Sequence, residues 1–131
     1  MGRKRKIPKQ SKQLKYFYII CVNFHGKDTL KFGISNNVFR RMREYNNSET
    51  NGFLKEIINV YKCSNPKRLE LILKYFLASR IKCVAKMEYF EMQYYNMIKK
   101  LLFKLSKEFN YKLELLDYTS EREKLLMKNK K

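Results

Sequence analysis

Two strand-like runs set close together most narrow what this chain can fold into: Tyr16-Phe17-Tyr18-Ile19-Ile20 and Leu30-Lys31-Phe32-Gly33-Ile34-Ser35. Residues 16–24 are aromatic and β-branched on both faces, the make-up of a covered, central strand. His25-Gly26-Lys27-Asp28 supplies a turn, because Gly and Asp accept the backbone angles a tight reversal needs. Residues 29–34 then return as a second strand. Ser35-Asn36-Asn37 offers side-chain oxygens to the free amides of a helix start, and Val38, Met42 and Tyr45 share one face of a helix over about 38–45. The pattern predicts a β-hairpin feeding a helix, with Tyr18, Lys31 and Arg41 at one end. Hydroxyl and cationic groups gathered there could hold a phosphodiester.

Downstream, Ile57-Ile58-Asn59-Val60-Tyr61 reads as a third strand ending at Cys63. Ser64-Asn65-Pro66 opens a helix, since proline is tolerated in a first turn. Leu69, Ile72, Leu73, Phe76 and Leu77 give it an apolar stripe running towards Ile81. Met87-Glu88-Tyr89-Phe90-Glu91 lies in a short extended piece, and an amphipathic helix follows over about 92–108, with Met97, Leu101, Leu102 and Leu105 on one side. Glu121-Arg122-Glu123-Lys124 begins an end expected to be helical and then frayed. The predicted class is α+β: a three-stranded antiparallel sheet flanked by helices. A flexible basic arm (1–15) precedes the domain (16–91), and a helical C-terminal extension (92–131) packs on it. No repeat and no second domain is legible.

Charge decides the class of partner. The 131 residues carry 30 Lys and Arg against 12 Asp and Glu, a net charge of +18. Such a surface repels itself and suits a polyanion, because neutralising phosphates releases condensed counterions. Nucleic acid, with DNA the expected form, fits better than a merely solubilising surface or an acidic membrane. The arm holds Arg3, Lys4, Arg5 and Lys6, then Lys9, Lys12 and Lys15, with no acid before Asp28. It can lie along a phosphate backbone, act as a nuclear import signal or keep the chain soluble. No apolar stretch is long enough to span a bilayer, and no small-residue cleavage site follows Phe24. Cys21, Cys63 and Cys83 are odd in number and far apart, which argues against a disulfide framework or zinc and for a reduced intracellular setting, in cytoplasm or nucleus. A single histidine, His25, excludes a histidine-based metal site or a Ser-His-Asp triad.

The order strand, strand, helix, strand, helix, with these residues on it, resembles the GIY-YIG nuclease superfamily, in the branch common in phages and large DNA viruses. Tyr18-Ile19-Ile20 matches the first motif and Lys31-Phe32-Gly33 a Lys-apolar-Gly second motif. Arg41 matches the arginine eight residues beyond the glycine, with Tyr45 one turn further. Glu70 matches the glutamate of a later helix, and Glu88-Tyr89-Phe90 the Glu-aromatic-Phe element. The abundance of Lys, Asn and Ile agrees with an AT-rich phage or viral genome.

The resemblance, covering about residues 16–91, implies a divalent-metal-dependent endonuclease. Glu70 would hold Mg²⁺ (or Mn²⁺), an ion that prefers oxygen ligands and keeps several waters, and no small-molecule cofactor is expected. Tyr18 or Lys31 would activate or steady the attacking water. Arg41 would stabilise transition-state charge, and Tyr45 would bond a phosphate oxygen or the water. Gly33 would allow close backbone approach, Glu88 and Phe90 would be structural, and Arg40 and Arg43 would join the arm in contacting nucleic acid. Tyr18 normally titrates near pH 10, so a basic role asks Lys31 and Arg41 to depress its pKa.

Helix geometry bears on the same residues. Arg41 lies beside the Val38/Met42/Tyr45 face and Arg40 points away, while Glu70 borders the leucine stripe. Other readings stay open: Tyr18 as a core tyrosine, Glu70 in a surface pair with Lys74, an inactive nucleic-acid-binding module of the same fold, or a regulatory protein using Tyr89, Tyr94 and Tyr95 in contacts.

Overall fold

A computed structural model of the chain describes residues 15–46, 53–83 and 88–116. The residues proposed for the arm's contacts, Arg3, Lys4, Arg5 and Lys6, lie outside these, as does the charged segment from Glu121 onward. The chain order is β1 (Tyr16–Phe24), β2 (Lys27–Ser35), α1 (Val38–Asn46), β3 (Phe53–Cys63), α2 (Pro66–Ala78), β4 (Tyr89–Glu91), α3 (Tyr95–Glu108) and β5 (Leu113–Leu115). The architecture is α+β, with three helices among the described residues.

The sheet corrects the expectation of three strands. It has five, all antiparallel, in the order β4-β2-β1-β3-β5. The two extra strands are three-residue edge pieces, too short to show a period of two. β5 falls in the stretch expected to be a helical extension, where Leu113–Leu115 pairs with Tyr61–Cys63. β3 also starts earlier than the apolar run suggests: Phe53–Glu56 pairs with β1, and the register shifts at Ile19/Ile20 and Cys21/Val22. Such irregularities bend a strand and blur its alternation. The hairpin turn is tighter than expected, with His25 and Gly26 both at positive φ, 54° and 81°.

β1 is central, as its two-faced apolar content required. On one face Phe17, Ile19, Leu30, Phe32, Tyr61 and Phe90 pack against Leu69, Leu73 and Leu77 of α2 and Ile98, Leu102 and Leu105 of α3. On the other, Tyr18, Ile20, Val22, Val60 and Tyr89 lie under Val38, Met42 and Tyr45 of α1. Each fully buried large side chain contributes about 1.5–3 kcal/mol, so the leucine stripe and the aromatic face together anchor three helices to one platform. Caps set two of the helix starts. Asn37 Oδ1 accepts from Arg40 N, and Asn65 Oδ1 accepts from Arg68 N with Pro66 in the first turn of α2. α2 stops at Ala78 rather than Ile81, because the amides of Arg80 and Ile81 both turn back to the Leu77 carbonyl. A single 3₁₀ turn, Met92–Tyr94, precedes α3. Among the described residues no helix is long and apolar enough to cross a membrane.

Candidate active site

Partners directly opposite in an antiparallel pair share a face. Tyr18 opposes Gly33 and Ile20 opposes Lys31, so Tyr18, Gly33 and Lys31 all face α1. The glycine has a steric reason. A Cβ built on Gly33 would lie 2.5 Å from the Tyr18 Oη and 2.7 Å from its Cζ. The phenol crosses the neighbouring strand in the space a side chain would fill, and Gly33 is what lets it reach the cluster under α1.

There the Tyr18 oxygen lies 3.2 Å from the Tyr45 hydroxyl and accepts a hydrogen bond from Arg41 Nε at 3.3 Å. Tyr45 and Arg41 come from the same helix one turn apart, and the guanidinium carbon stands 5.1 Å from the centre of the Tyr45 ring. Arg41 Nη1 also donates to Glu44 at 2.9 Å, and the side chain keeps 35% exposure. One cation therefore links a buried phenol pair to the surface. Burial opposes the charge of Arg41, but the bonds to Tyr18 and Glu44 more than offset that and hold its pKa above the ordinary value.

A second group begins at Lys31, only 3% exposed. Its ammonium donates to Glu88 Oε1 and sits 4.6 Å from the Tyr89 ring centre. Glu88 lies just before β4, at the sheet edge, and its other oxygen accepts from Lys74 Nζ of α2 at 2.8 Å. Lys74 is also 3.9 Å from Glu70 Oε2, too far for a hydrogen bond. A chain of alternating charges, Lys31–Glu88–Lys74–Glu70, thus runs round the sheet edge from the α1 face to α2. The two groups sense each other: Glu88 acts on Tyr18, and both Arg41 and Glu70 act on Lys31.

Burial sets the protonation. It pushes the Tyr18 pKa up, and the bonds from Tyr45 and Arg41 only partly counter it. The cations were expected to depress that pKa. Arg41 pulls it down, but desolvation wins and Tyr18 is a neutral phenol at pH 7. Burial also raises the Tyr45 pKa. It lowers that of Lys31 despite Glu88, so this amine gives up its proton more readily than an ordinary lysine. Glu88 is held below the usual carboxyl range: burial works against its charge, but Lys31 and Lys74 outweigh that. Glu70 goes the other way, raised chiefly by burial, with Lys74 offsetting part.

Of the remaining sequence candidates, Arg40 points to solvent, bonded to Asn36 and near Glu44. Arg43 is exposed on α1. Phe90 is buried, stacked on Phe32 on the α2/α3 face. Sequence reasoning gave Lys74 no role beyond a surface pair and Glu88 a purely structural one. The i, i+4 spacing from Glu70 was the only signal for Lys74, and the bridge to Lys31 depends on three elements distant in sequence.

No group of three or more His, Cys, Asp or Glu side chains converges as a metal cage among the described residues. Glu70 nevertheless suits a lone carboxylate ligand. Its side chain is 12% exposed, and among the described residues its one ion pair is the long contact to Lys74. Mg²⁺ is commonly held by one or two carboxylates, with waters and substrate phosphates completing the shell.

The family model described as the T5orf172 domain matches residues 15–106. The chain belongs to the T5orf172 domain family. No curated protein and no solved structure matches it. The matched span of the T5orf172 domain holds the whole sheet up to β4, all of α1 and α2 and most of α3, and therefore both charged groups described above. T5orf172 domains are nuclease-associated, which points to a nuclease-like or nucleic-acid-binding function.

Proposed function

We propose that the protein is an endonuclease that hydrolyses phosphodiester bonds in nucleic acid, with DNA as substrate and a divalent cation at Glu70, by chemistry of the GIY-YIG kind. The observation that carries this is the hydrogen-bonded Arg41–Tyr18–Tyr45 cluster beside the Lys31–Glu88–Lys74–Glu70 chain. Arg41, charged and part-exposed, binds non-bridging phosphate oxygens and stabilises the negative charge gathered in the transition state. The Tyr18 phenol, neutral and fixed by two hydrogen bonds, orients the attacking water. Lys31, with its lowered pKa, accepts the water's proton as the new P–O bond forms and the bond to the leaving oxygen breaks. That oxygen takes a proton from solvent. Glu88 holds Lys31 in place, and Tyr45 holds Tyr18. Mg²⁺ at Glu70 would supply Lewis-acid stabilisation of the leaving oxygen.

A binding module without cleavage is the competing reading. One observation favours it: the Lys31 ammonium is already paired with Glu88, which resists loss of its proton. Nicking of supercoiled plasmid separates the two. Wild type should nick with Mg²⁺ and stop with chelator, and Glu70→Ala should abolish nicking yet retain DNA binding. Mg²⁺-dependent nicking by Glu70→Ala equal to wild type would remove Glu70 from the mechanism.

A further inference from the structure

A cavity of about 180 Å³ lies on the α1 side of the sheet, lined by Tyr16, Asn36, Asn37, Val38, Phe39, Val60 and Leu116. At ~30 Å³ per water it has room for about six waters, well below the 300–1,000 Å³ of a typical cofactor pocket. Its position is more telling than its size. Tyr16 is two residues before Tyr18 on the same face of β1, roughly 7 Å along the strand. Val60 directly opposes Tyr18 on β3, and Val38 is one turn before Arg41 on α1. The cavity is therefore the immediate neighbour of the Arg41–Tyr18 pair, one nucleotide's reach from a phosphate held there.

Its lining matches a flat heteroaromatic group. Tyr16 and Phe39, both half-buried, offer ring faces, while Val38, Val60 and Leu116 supply apolar walls. Two amides complete it, and their oxygens are occupied: Asn36 Oδ1 accepts from Arg40 Nη2 at 3.3 Å, and Asn37 Oδ1 from Arg40 N at 3.0 Å. What they present further is N–H, suited to the carbonyl and ring-nitrogen acceptors on a base edge. The +18 charge brings polynucleotide to this surface.

We infer that this cavity is a nucleobase subsite, which takes one unstacked base of the substrate strand next to the phosphate held at Arg41. Tyr16 and Phe39 stack the base, and Asn36 and Asn37 read its acceptors. The inference rests on the nuclease reading above and adds to it that the protein grips a base as well as a backbone. It predicts a substrate that is single-stranded or opened at the site, because a base stacked within a duplex cannot enter.

The chain contains no tryptophan, so Phe39→Trp places a single reporter in the wall. The full-length variant, kept in chelator to prevent cleavage, is titrated with oligo(dT) and with an abasic strand carrying the same number of phosphates, occupancy being followed by anisotropy. Base–aromatic stacking of ordinary strength makes oligo(dT) about tenfold tighter. At equal occupancy oligo(dT) quenches the tryptophan and the abasic strand leaves it unchanged, and Tyr16→Ala in the otherwise native chain brings the two affinities together. Equal quenching by both strands, no quenching by either bound strand, or equal affinities in the native chain would overturn the subsite while leaving the backbone-binding reading intact. Failure of both strands to bind would overturn the nucleic-acid reading itself. Should Phe39→Trp not fold, Tyr16→Trp reports from the opposite wall with the same expected outcomes.

Discussion

At the scale of single residues, Gly33 and Glu70 are constrained in different ways. Gly33 exists to make room for Tyr18, whose ring is 1% exposed and has no free space to retreat into. Gly33→Ala should therefore lower stability by about 1–3 kcal/mol, the usual range for overpacking, and should displace the phenol from Arg41. Thermal melts with matched cleavage rates would check this, and an unchanged melt would refute the steric account. Glu70 is a carboxyl that folding pushes towards its neutral form. The folded state therefore favours the acid below the unfolded pKa of about 4.3, and this advantage is lost as pH rises through the higher folded value. Glu70→Gln removes the desolvated charge, so its Tm should exceed wild type by a few degrees at pH 7 and match it near pH 4, although the variant should be inactive. Glu88 has the reverse sign. Its pKa is lowered in the fold, so the stabilisation from the two lysines is present above about pH 4.3 and lost as pH falls through the folded value.

At the scale of elements, α1 positions much of the chemistry with only nine residues. So short a helix depends on its cap and its packing. Asn37→Ala removes the acceptor for the Arg40 amide and should cost about 1 kcal/mol, with a larger relative loss of cleavage than of affinity, because Arg41 follows directly on the capped turn. Equal losses in both would assign Asn37 to binding alone. The same helix shows what the sequence could reveal. Its start at Val38, its buried Val38/Met42/Tyr45 face and the outward turn of Arg40 all follow from caps and a 3.6-residue period. Pro66 likewise marked the start of α2. The N-terminal half of β3 was not legible because Leu54-Lys55-Glu56 looks like loop until β1 supplies its partner. β4 and β5 were hidden by their length. The protonation of Tyr18 was hidden for another reason. Its cationic neighbour could be guessed from spacing, but the depth of its burial depends on packing between β2 and α1, which no local pattern encodes.

At the scale of the whole molecule, the dominant force is charge. Net +18 makes affinity for nucleic acid fall steeply with salt, with a log–log slope of about −0.7 to −0.9 per phosphate neutralised. Deleting residues 1–12 removes Arg3, Lys4, Arg5, Lys6, Lys9 and Lys12. The deletion should weaken binding and flatten that slope by about 1 for each phosphate no longer neutralised. An unchanged affinity and slope would give the arm another role. The fold keeps catalysis separate from this diffuse attraction. The Arg41 cluster lies under α1 and Glu70 rides on α2 beyond the sheet edge, so the proposed reaction needs both faces of the platform to be held together by Glu88 and its two lysines.

The most direct test of that account is the single-turnover rate of Mg²⁺-dependent strand cleavage, measured with saturating protein for wild type, Tyr18→Phe and Glu70→Ala. Because both residues are assigned to the reacting centre, each variant should bind as wild type does and cleave at least about a hundredfold more slowly. Cleavage by both variants at the wild-type rate would contradict it.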